Sequence, residues 1–474
     1  MRRQIQHVLF IKWLLLWAIL STQHAHAQTA CDSLNLQLQN DIAGKCTDQV
    51  MTLTADLNGK PYLYVANKSA GLVIHDLSAK DPRKVAQLPI DSFDKLEVMG
   101  VSHYGEKLYL ALGNFFSTKE ASGMAIVDIS NPEKPSVNGL WKHSAGTEGA
   151  SQVVVHGSTA YLAAFSHGIF ILDISNPSNI QLISQFVPNL NFPDSPPDST
   201  KINARGMVLE NDVIYLSYDA GGIRIINVSN PAKPRETGRY SNPVMNKKPR
   251  AYNNAVKYGK YLFCGVDYCG LEVLDVSDTS NITQVSWWNP WKCHESPLNW
   301  FSSNGHVNEV RMDTLEQKLF VSTGKSDLMV IDVSDPTHPD SCSTYGGIAN
   351  NIGTWGLSIY DNNVYLAYIC TLVPFTSNWT GVKHLKFDRS TTSTNQRLTV
   401  NPPNIYPNPA GIGETINIDL PVRILSSSLY DCRGQFIQSG FGSTLSTQHL
   451  QPGAYVIRIQ TDLGDYQRMI LLSN

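Results

Sequence analysis

The sequence predicts an all-β chain: a seven-bladed β-propeller of four-stranded blades, followed by a small C-terminal Ig-like β-sandwich. Two observations carry the propeller. First, one six-residue phrase recurs as Gly71-Leu-Val-Ile-His-Asp76, Gly123-Met-Ala-Ile-Val-Asp128, Gly168-Ile-Phe-Ile-Leu-Asp173, Gly222-Ile-Arg-Ile-Ile-Asn227, Gly270-Leu-Glu-Val-Leu-Asp275 and Asp327-Leu-Met-Val-Ile-Asp332, at spacings of 52, 45, 54, 48 and 57 residues. Second, five copies run on into Ser-Asn-Pro or a close variant, as at Ser130-Asn131-Pro132 and Ser334-Asp335-Pro336. Short apolar strands punctuated by turn residues at such a period indicate a radial β array.

Each phrase has an upstream partner strand of aromatic and aliphatic residues, such as Tyr62-Leu-Tyr-Val65 or Leu108-Tyr-Leu-Ala111. That strand occurs seven times, the last being Tyr365-Leu-Ala-Tyr368. A turn and a further strand precede it, and a fourth strand follows the Asn-Pro turn, which makes one blade. The seventh phrase, Gly381-Val-Lys-His-Leu-Lys-Phe-Asp388, is degenerate and out of register. Seven blades are therefore expected over residues 49–388, with six plus an irregular segment as the alternative. The missing fourth strand of blade seven has two candidates, Leu34-Asn-Leu-Gln-Leu38 within residues 28–48 and Gln396–Val400. The phrase glycine is placed where a hairpin needs positive φ or close strand approach. The phrase Asp and the following Ser are expected to bond the backbone of the next turn. A metal role for the Asp is disfavoured, because it recurs once per blade and no loop gathers several acids.

The chain's ends suggest export. Arg2 and Arg3 precede an apolar run from Val8 to Leu20, then Ala25-His26-Ala27, a small-x-small cleavage site. This reads as a signal peptide over residues 1–27, too short to span a bilayer, and no other stretch is long enough to be a transmembrane segment. Its removal takes away three positive charges and no acids, moving the net charge from -3 to -6. A mildly acidic mature chain argues against nucleic acid or an anionic membrane as partner. Export permits disulfides among the eight cysteines. Cys31 with Cys46, and Cys264 with Cys269, are the pairings suggested by proximity, while Cys293, Cys342, Cys370 and Cys432 have no evident partner.

After Arg389 a polar linker runs to residue 403. Then come Tyr406-Pro407-Asn408-Pro409, Tyr430-Asp-Cys-Arg-Gly434 and Leu450-Gln-Pro-Gly453-Ala-Tyr455, amid strand-like alternation with Gly and Pro turns. These phrases resemble the type A sorting domain of the Bacteroidetes type IX secretion system, over residues 404–474. Cys432 departs from that pattern. The resemblance implies the type IX machinery as partner, passage through the outer membrane, and a secreted or cell-surface product. The repeats, best seen in Leu72-Val-Ile-His-Asp76 and Met329-Val-Ile-Asp332, resemble the LVIVD repeat family. That resemblance implies an exported propeller and no catalytic activity, since the motif residues are structural.

A propeller offers a binding face where its innermost strands begin around the channel. Counting back from the turns places Thr54, Gly100, Gln152, Gly206, Asn254, Asn308 and Gly356 in one ring. One residue earlier lie Leu53, Met99, Ser151, Arg205, Asn253, Val307 and Trp355; one earlier again lie Tyr252 and His306. Blades four to seven thus bring Arg205, Tyr252, Asn253, Asn254, His306, Asn308 and Trp355 to one sector, with Glu309 next along its strand. A second feature is the loop from Trp287 to Phe301, holding Trp287, Trp288, Trp291 and Trp300, four of the mature chain's seven tryptophans. Such rings stack on sugars or anchor interfaces, or else cover a blade edge. Cys293-His294-Glu295 with His306 matches no zinc spacing, so no metal and no cofactor is assigned. The chain has no G-x-S-x-G, H-E-x-x-H or Walker loop, and no catalytic residue is assigned. The expectation is a non-enzymatic binding module for an unidentified surface protein or glycan. The alternatives are a hydrolase using Arg205, His306 and Glu309 as base, or an envelope scaffold.

Overall fold

The computed structural model describes residues 34–388 and 404–473, except 115–119, 145–147, 194–201, 246–247, 249, 268, 296–304, 324–326, 348–352, 371–378, 421–423, 432–435, 441–442, 449 and 462–463. Seven four-stranded antiparallel sheets follow one another along the chain. Blade one spans residues 52–88, blade two 98–142, blade three 152–186, blade four 207–240, blade five 251–288 and blade six 309–345. Blade seven comprises Gly353–Tyr360, Asn363–Ile369 and Gly381–Phe387, and its fourth strand is Leu36–Ala43. Of the two candidates, the N-terminal one therefore occupies the place, running from Leu36 opposite Phe387 to Ala43 opposite Gly381.

The physical pattern is the same in each blade. The second and third strands are buried on both faces, so they are continuous runs of Val, Ile, Leu and Tyr; the fourth is half exposed. Within each third strand, alternate residues face opposite neighbours. In blade two, Ala125 and Val127 pack on blade one while Met124 and Ile126 pack on blade three. Seven clusters result, one between each neighbouring pair of blades, including one that joins Val382 of blade seven to Val65 and Val73 of blade one. In the first six blades the fourth strand bulges beside the phrase, between Ile74 and His75 in blade one and between Val330 and Ile331 in blade six. Such bulges increase local twist before the chain turns to the next blade.

The phrase residues do what the sequence suggested. Gly71, Gly168, Gly222 and Gly270 have φ of 88°, 70°, 81° and 78°. A Cβ there would meet the last carbonyl of the fourth strand at 2.1–2.2 Å, as Gly71 would meet Leu88 O. The phrase Asp or Asn accepts from the backbone N–H two residues on in all six copies, from Ser78 N to Asp76 Oδ1 (2.8 Å) to Ser334 N to Asp332 Oδ1 (2.8 Å).

Both proximity-based disulfides are overturned. Cys46 is bonded to Cys370, because the segment after Leu36–Ala43 returns beside blade seven. Cys269 is bonded to Cys293, which ties the tryptophan loop to the turn before the phrase of blade five. Cys264 points into the core between blades four and five as a buried thiol. Cys342 is disulfide-bonded as well. Cys31, Cys432 and Gln396–Val400 lie outside the described residues.

The C-terminal region forms two sheets. One joins Asn404–Tyr406, Thr415–Asp419 and Thr444–Ser446; the other has five strands, centred on Gly453–Thr461. Ile405, Ile416 and Ile418 from the first pack with Leu429, Ile457, Ile459 and Ile470 from the second.

Candidate functional site at the channel mouth

The mouth is built by the residue that opens each innermost strand. Its register is fixed by the hydrogen bond to the second strand: Met51 N to Ala66 O, Ser151 N to Ala163 O, Arg205 N to Ser217 O and Asn308 N to Ser322 O. In blades two, five and seven the equivalent residue is bulged out of the ladder, as Met99, Asn253 and Trp355. The ring is therefore Met51, Met99, Ser151, Arg205, Asn253, Asn308 and Trp355. This corrects two positions read from sequence. Blade one contributes Met51 rather than Leu53, and blade six Asn308 rather than Val307. The cause is hairpin length: the blade-one turn lies between paired Ala55 and Leu63 and the blade-six turn between Asp313 and Lys318, whereas Tyr104 and Lys107 flank a two-residue turn.

The ring has two halves. Met51, Met99 and Ile369 form a buried apolar cluster with Trp355 packed on it, on the side of blades seven, one and two. The other half is polar, and much of it stitches blade to blade. Ser151 Oγ donates to Arg205 O (2.7 Å), Asn253 Nδ2 to Val307 O (3.0 Å) and Asn308 Nδ2 to Thr354 O (2.9 Å). The buried oxygens Asn253 Oδ1 and Asn308 Oδ1 accept no hydrogen bond from the described residues. Asn254 follows at the surface of the same strand, partly exposed beside Gly206.

Arg205 reaches across the mouth. Its guanidinium carbon is 5.5 Å from the Trp355 ring and 5.8 Å from the Phe165 ring, and its side chain stays 17% exposed. Nη1 lies 3.9 Å from Asp219 Oδ2, which also accepts from Asn203 Nδ2 (3.0 Å). Burial pushes the Asp219 carboxyl up to about 6, against the opposing pull of Arg205 and Asn203. Asp267, at the end of the second strand of blade five, is paired with His306 Nδ1. Both members of that pair are almost completely buried.

Sequence reasoning missed Asp219, Asp267 and Phe165. The signal was present, because they occupy the end of the second strand or the turn that follows it, where blade one has Lys68. The backbone bridges Lys68–Val98, Phe165–Ala204 and Asp219–Tyr252 place these turns beside the next blade's ring residue.

Three expected members lie elsewhere or are otherwise engaged. Tyr252 turns away from the channel into the core between blades four and five, donating its hydroxyl to Glu272 Oε2 (3.0 Å). Glu309 follows the ring residue Asn308 along its strand, and its Oε2 accepts from Leu357 N (2.9 Å) while Oε1 pairs with Arg311. The tryptophan loop packs down. Trp288 is 6% exposed in the core between blades five and six and donates to Ser341 Oγ (3.1 Å). Trp291 meets it edge-on, with ring centroids 5.2 Å apart. Trp287, partly exposed, donates to Cys269 O (2.8 Å) and faces His294. Trp300 lies outside the described residues. The sulfur of Cys293 is held in its disulfide.

With this geometry in place, comparison with known proteins adds three findings. The LVIVD repeat family matches residues 58–81, 100–141, 149–187, 203–242, 253–289 and 317–346. The secretion system C-terminal sorting domain matches residues 404–473. The chain carries six LVIVD repeats and a type IX sorting tail. Among solved structures, the WD40 repeats of RRP9 superpose with a TM-score of 0.55 at 8% identity, over 75% of this chain and 100% of that one. U3-55K gives 0.50 at 9% identity, over 74% and 98%. At such identity the likeness concerns the fold. Among curated proteins no sequence relative matches.

The LVIVD propeller is thus exported by the type IX system to the cell surface or beyond, as its sorting tail indicates. In that tail, Asn408 ties two strands: its Nδ2 donates to Met469 O (3.1 Å) and its Oδ1 accepts from Leu471 N (2.9 Å). Tyr455 donates to Gln451 O (2.8 Å), and Tyr406, beside Pro407 and Pro409, is half exposed. Gly453 opens the central strand, and Gly434 lies outside the described residues. No helix among the described residues is long and apolar enough to cross a membrane.

Proposed function

We propose that the exported LVIVD propeller is a non-enzymatic binding protein that holds a hydroxyl-rich ligand, a surface glycan, at the polar half of its channel mouth. The observation that carries this reading is Arg205, part-exposed between the rings of Trp355 and Phe165. An aromatic face beside guanidinium donors is the chemistry that stacks on a sugar ring and bonds its hydroxyls. The hydrolase alternative loses its base, because the Glu309 carboxylate is engaged by Leu357 N and Arg311.

The test is binding of the full exported chain to arrays of glycans and of surface proteins, beside Arg205→Gln and Trp355→Leu variants checked by thermal melting. A glycan bound by the parent and weakened at least about tenfold in both variants is expected, equivalent to ~1.4 kcal/mol. Glycan turnover, or a protein ligand insensitive to both substitutions, overturns the reading. A triple replacement of Trp287, Trp288 and Trp291 is a poor test, since Trp288 is part of the core.

A further inference from the structure

The fifth residue of each phrase faces the preceding blade. In five copies it is aliphatic and fills the interblade core: Val127, Leu172, Ile226, Leu274 and Ile331. The first copy has His75 instead. Its preceding neighbour is blade seven, whose outer strands are Gly381–Phe387 and the N-terminal Leu36–Ala43. At this seam a cavity of about 350 Å³ lies beside the core cluster of Val65, Val73 and Val382.

One wall is Ile42, Ala43 and Val382, from the two outer strands of blade seven; the other is Val65, Val73 and His75 from blade one. Lys84, directly across the ladder from His75, and Lys45 stand exposed at the rim. The single acid of the lining, Asp48, accepts from Ser69 Oγ (3.2 Å). Two buried polar atoms of lining residues, His75 Nδ1 and Asn67 Oδ1, have no hydrogen-bond partner among the described residues. Burial and the nearby Lys84 ammonium hold His75 down to about 4, so its ring is neutral at pH 7.

We propose that this seam cavity is a binding site for a small amphiphilic anion, a carboxylate with a short aliphatic or aromatic body. The valines and Ile42 receive the apolar body, which gains from leaving water. Lys84 and Lys45 face the carboxylate, and the His75 ring supplies a hydrogen-bonding edge. The ligand would touch blade one and both outer strands of blade seven at once, so occupancy stabilises the seam between the first and last blades.

The test uses the full exported chain with octanoate, 1-octanol as its uncharged counterpart, and the fluorescent anion 1-anilinonaphthalene-8-sulfonate as reporter. Octanoate is expected to displace the reporter and to raise Tm by a few degrees. His75→Leu restores the aliphatic filler of the other repeats, so it should keep or raise Tm without ligand and weaken octanoate at least tenfold. Lys84→Met should weaken octanoate severalfold and leave octanol unchanged. Failure of octanoate to bind, or equal binding to the His75→Leu variant, overturns the site. Octanol binding as tightly as octanoate overturns the anion assignment.

Discussion

Cys46 and Cys370, 324 residues apart in sequence, are joined by a disulfide at the seam between the N-terminal segment and blade seven. Around it, Gly44 N donates to Thr380 O (2.9 Å), Val50 N to Thr380 Oγ1 (3.0 Å) and Cys370 N to Gln49 Oε1 (3.1 Å). The bond therefore holds the start of the described chain to its last blade. Cross-linking so long a loop removes much unfolded-state entropy. Cys46→Ser should lower unfolding free energy by about 2–4 kcal/mol, read from urea denaturation. A reductant should destabilise the parent and have a smaller effect on the variant. Cys264 offers a control, since burial pushes its thiol well up and native-state alkylation there should be slow by mass spectrometry.

The second prediction concerns the repeated turn. Asp128 Oδ1 accepts from Ser130 N (2.9 Å) and Ser130 Oγ (2.6 Å), bonds that hold its carboxyl below its usual range. Blade four makes the same turn with Asn227, whose Oδ1 accepts from Ser229 N (3.2 Å). Charge is therefore dispensable at this position while the acceptor is not. Asp128→Ala should cost about 1 kcal/mol and Asp128→Asn close to nothing, by thermal or chemical denaturation. Added calcium should shift neither Tm.

What the sequence made legible follows from what repeats. The phrase recurs with its glycine, its aliphatic core and its Asp, so blade number, turn chemistry and strand order could be read by self-comparison. The site was less legible because it lies where the blades differ. Hairpins of unequal length shifted the ring at Met51 and Asn308, and bulges at Met99, Asn253 and Trp355 turn side chains that a simple alternation would misplace. Tyr252 illustrates this: it precedes the bulge, so it faces the interblade core rather than the channel. The disulfides were hidden because Cys46 and Cys370 meet only through the long-range pairing that completes blade seven.

Arg224 takes the third position of its phrase, which is Val73, Ala125 or Phe170 in the first three blades. It is fully buried, with Nη1 2.9 Å from Glu236 Oε1, and it donates from Nη2 to Phe192 O (2.9 Å) and from Nε to Gly221 O (2.8 Å). The Phe192 ring lies 4.9 Å from its guanidinium carbon. Removing one side of such a pair strands the other, so Arg224→Met should cost about 3–5 kcal/mol in urea denaturation. The Arg224→Met/Glu236→Met double variant should lose less than the sum of the two single changes, because no buried charge is then left unpaired.

Glu272 occupies the same phrase position one blade later, again where the other copies are mostly apolar. It is fully buried, accepting from Asn242 Nδ2 (2.6 Å) and Tyr252 OH (3.0 Å). Burial pushes its carboxyl up from 4.5 to about 7, against the pull of those donors. A folded-state value above the unfolded one means that the native chain holds the extra proton. The associated stability is complete below about pH 4.5 and is lost as pH rises through about 7. Glu272→Gln removes this dependence. Other groups titrate in the same range, so the informative quantity is the parent-minus-variant difference in unfolding free energy at each pH. That difference should fall by about 2–3 kcal/mol between pH 5 and pH 8, in favour of the variant at the higher pH. A difference that stays constant over this range would show that Glu272 is ionised in the native protein throughout, and that Asn242 and Tyr252 outweigh its burial.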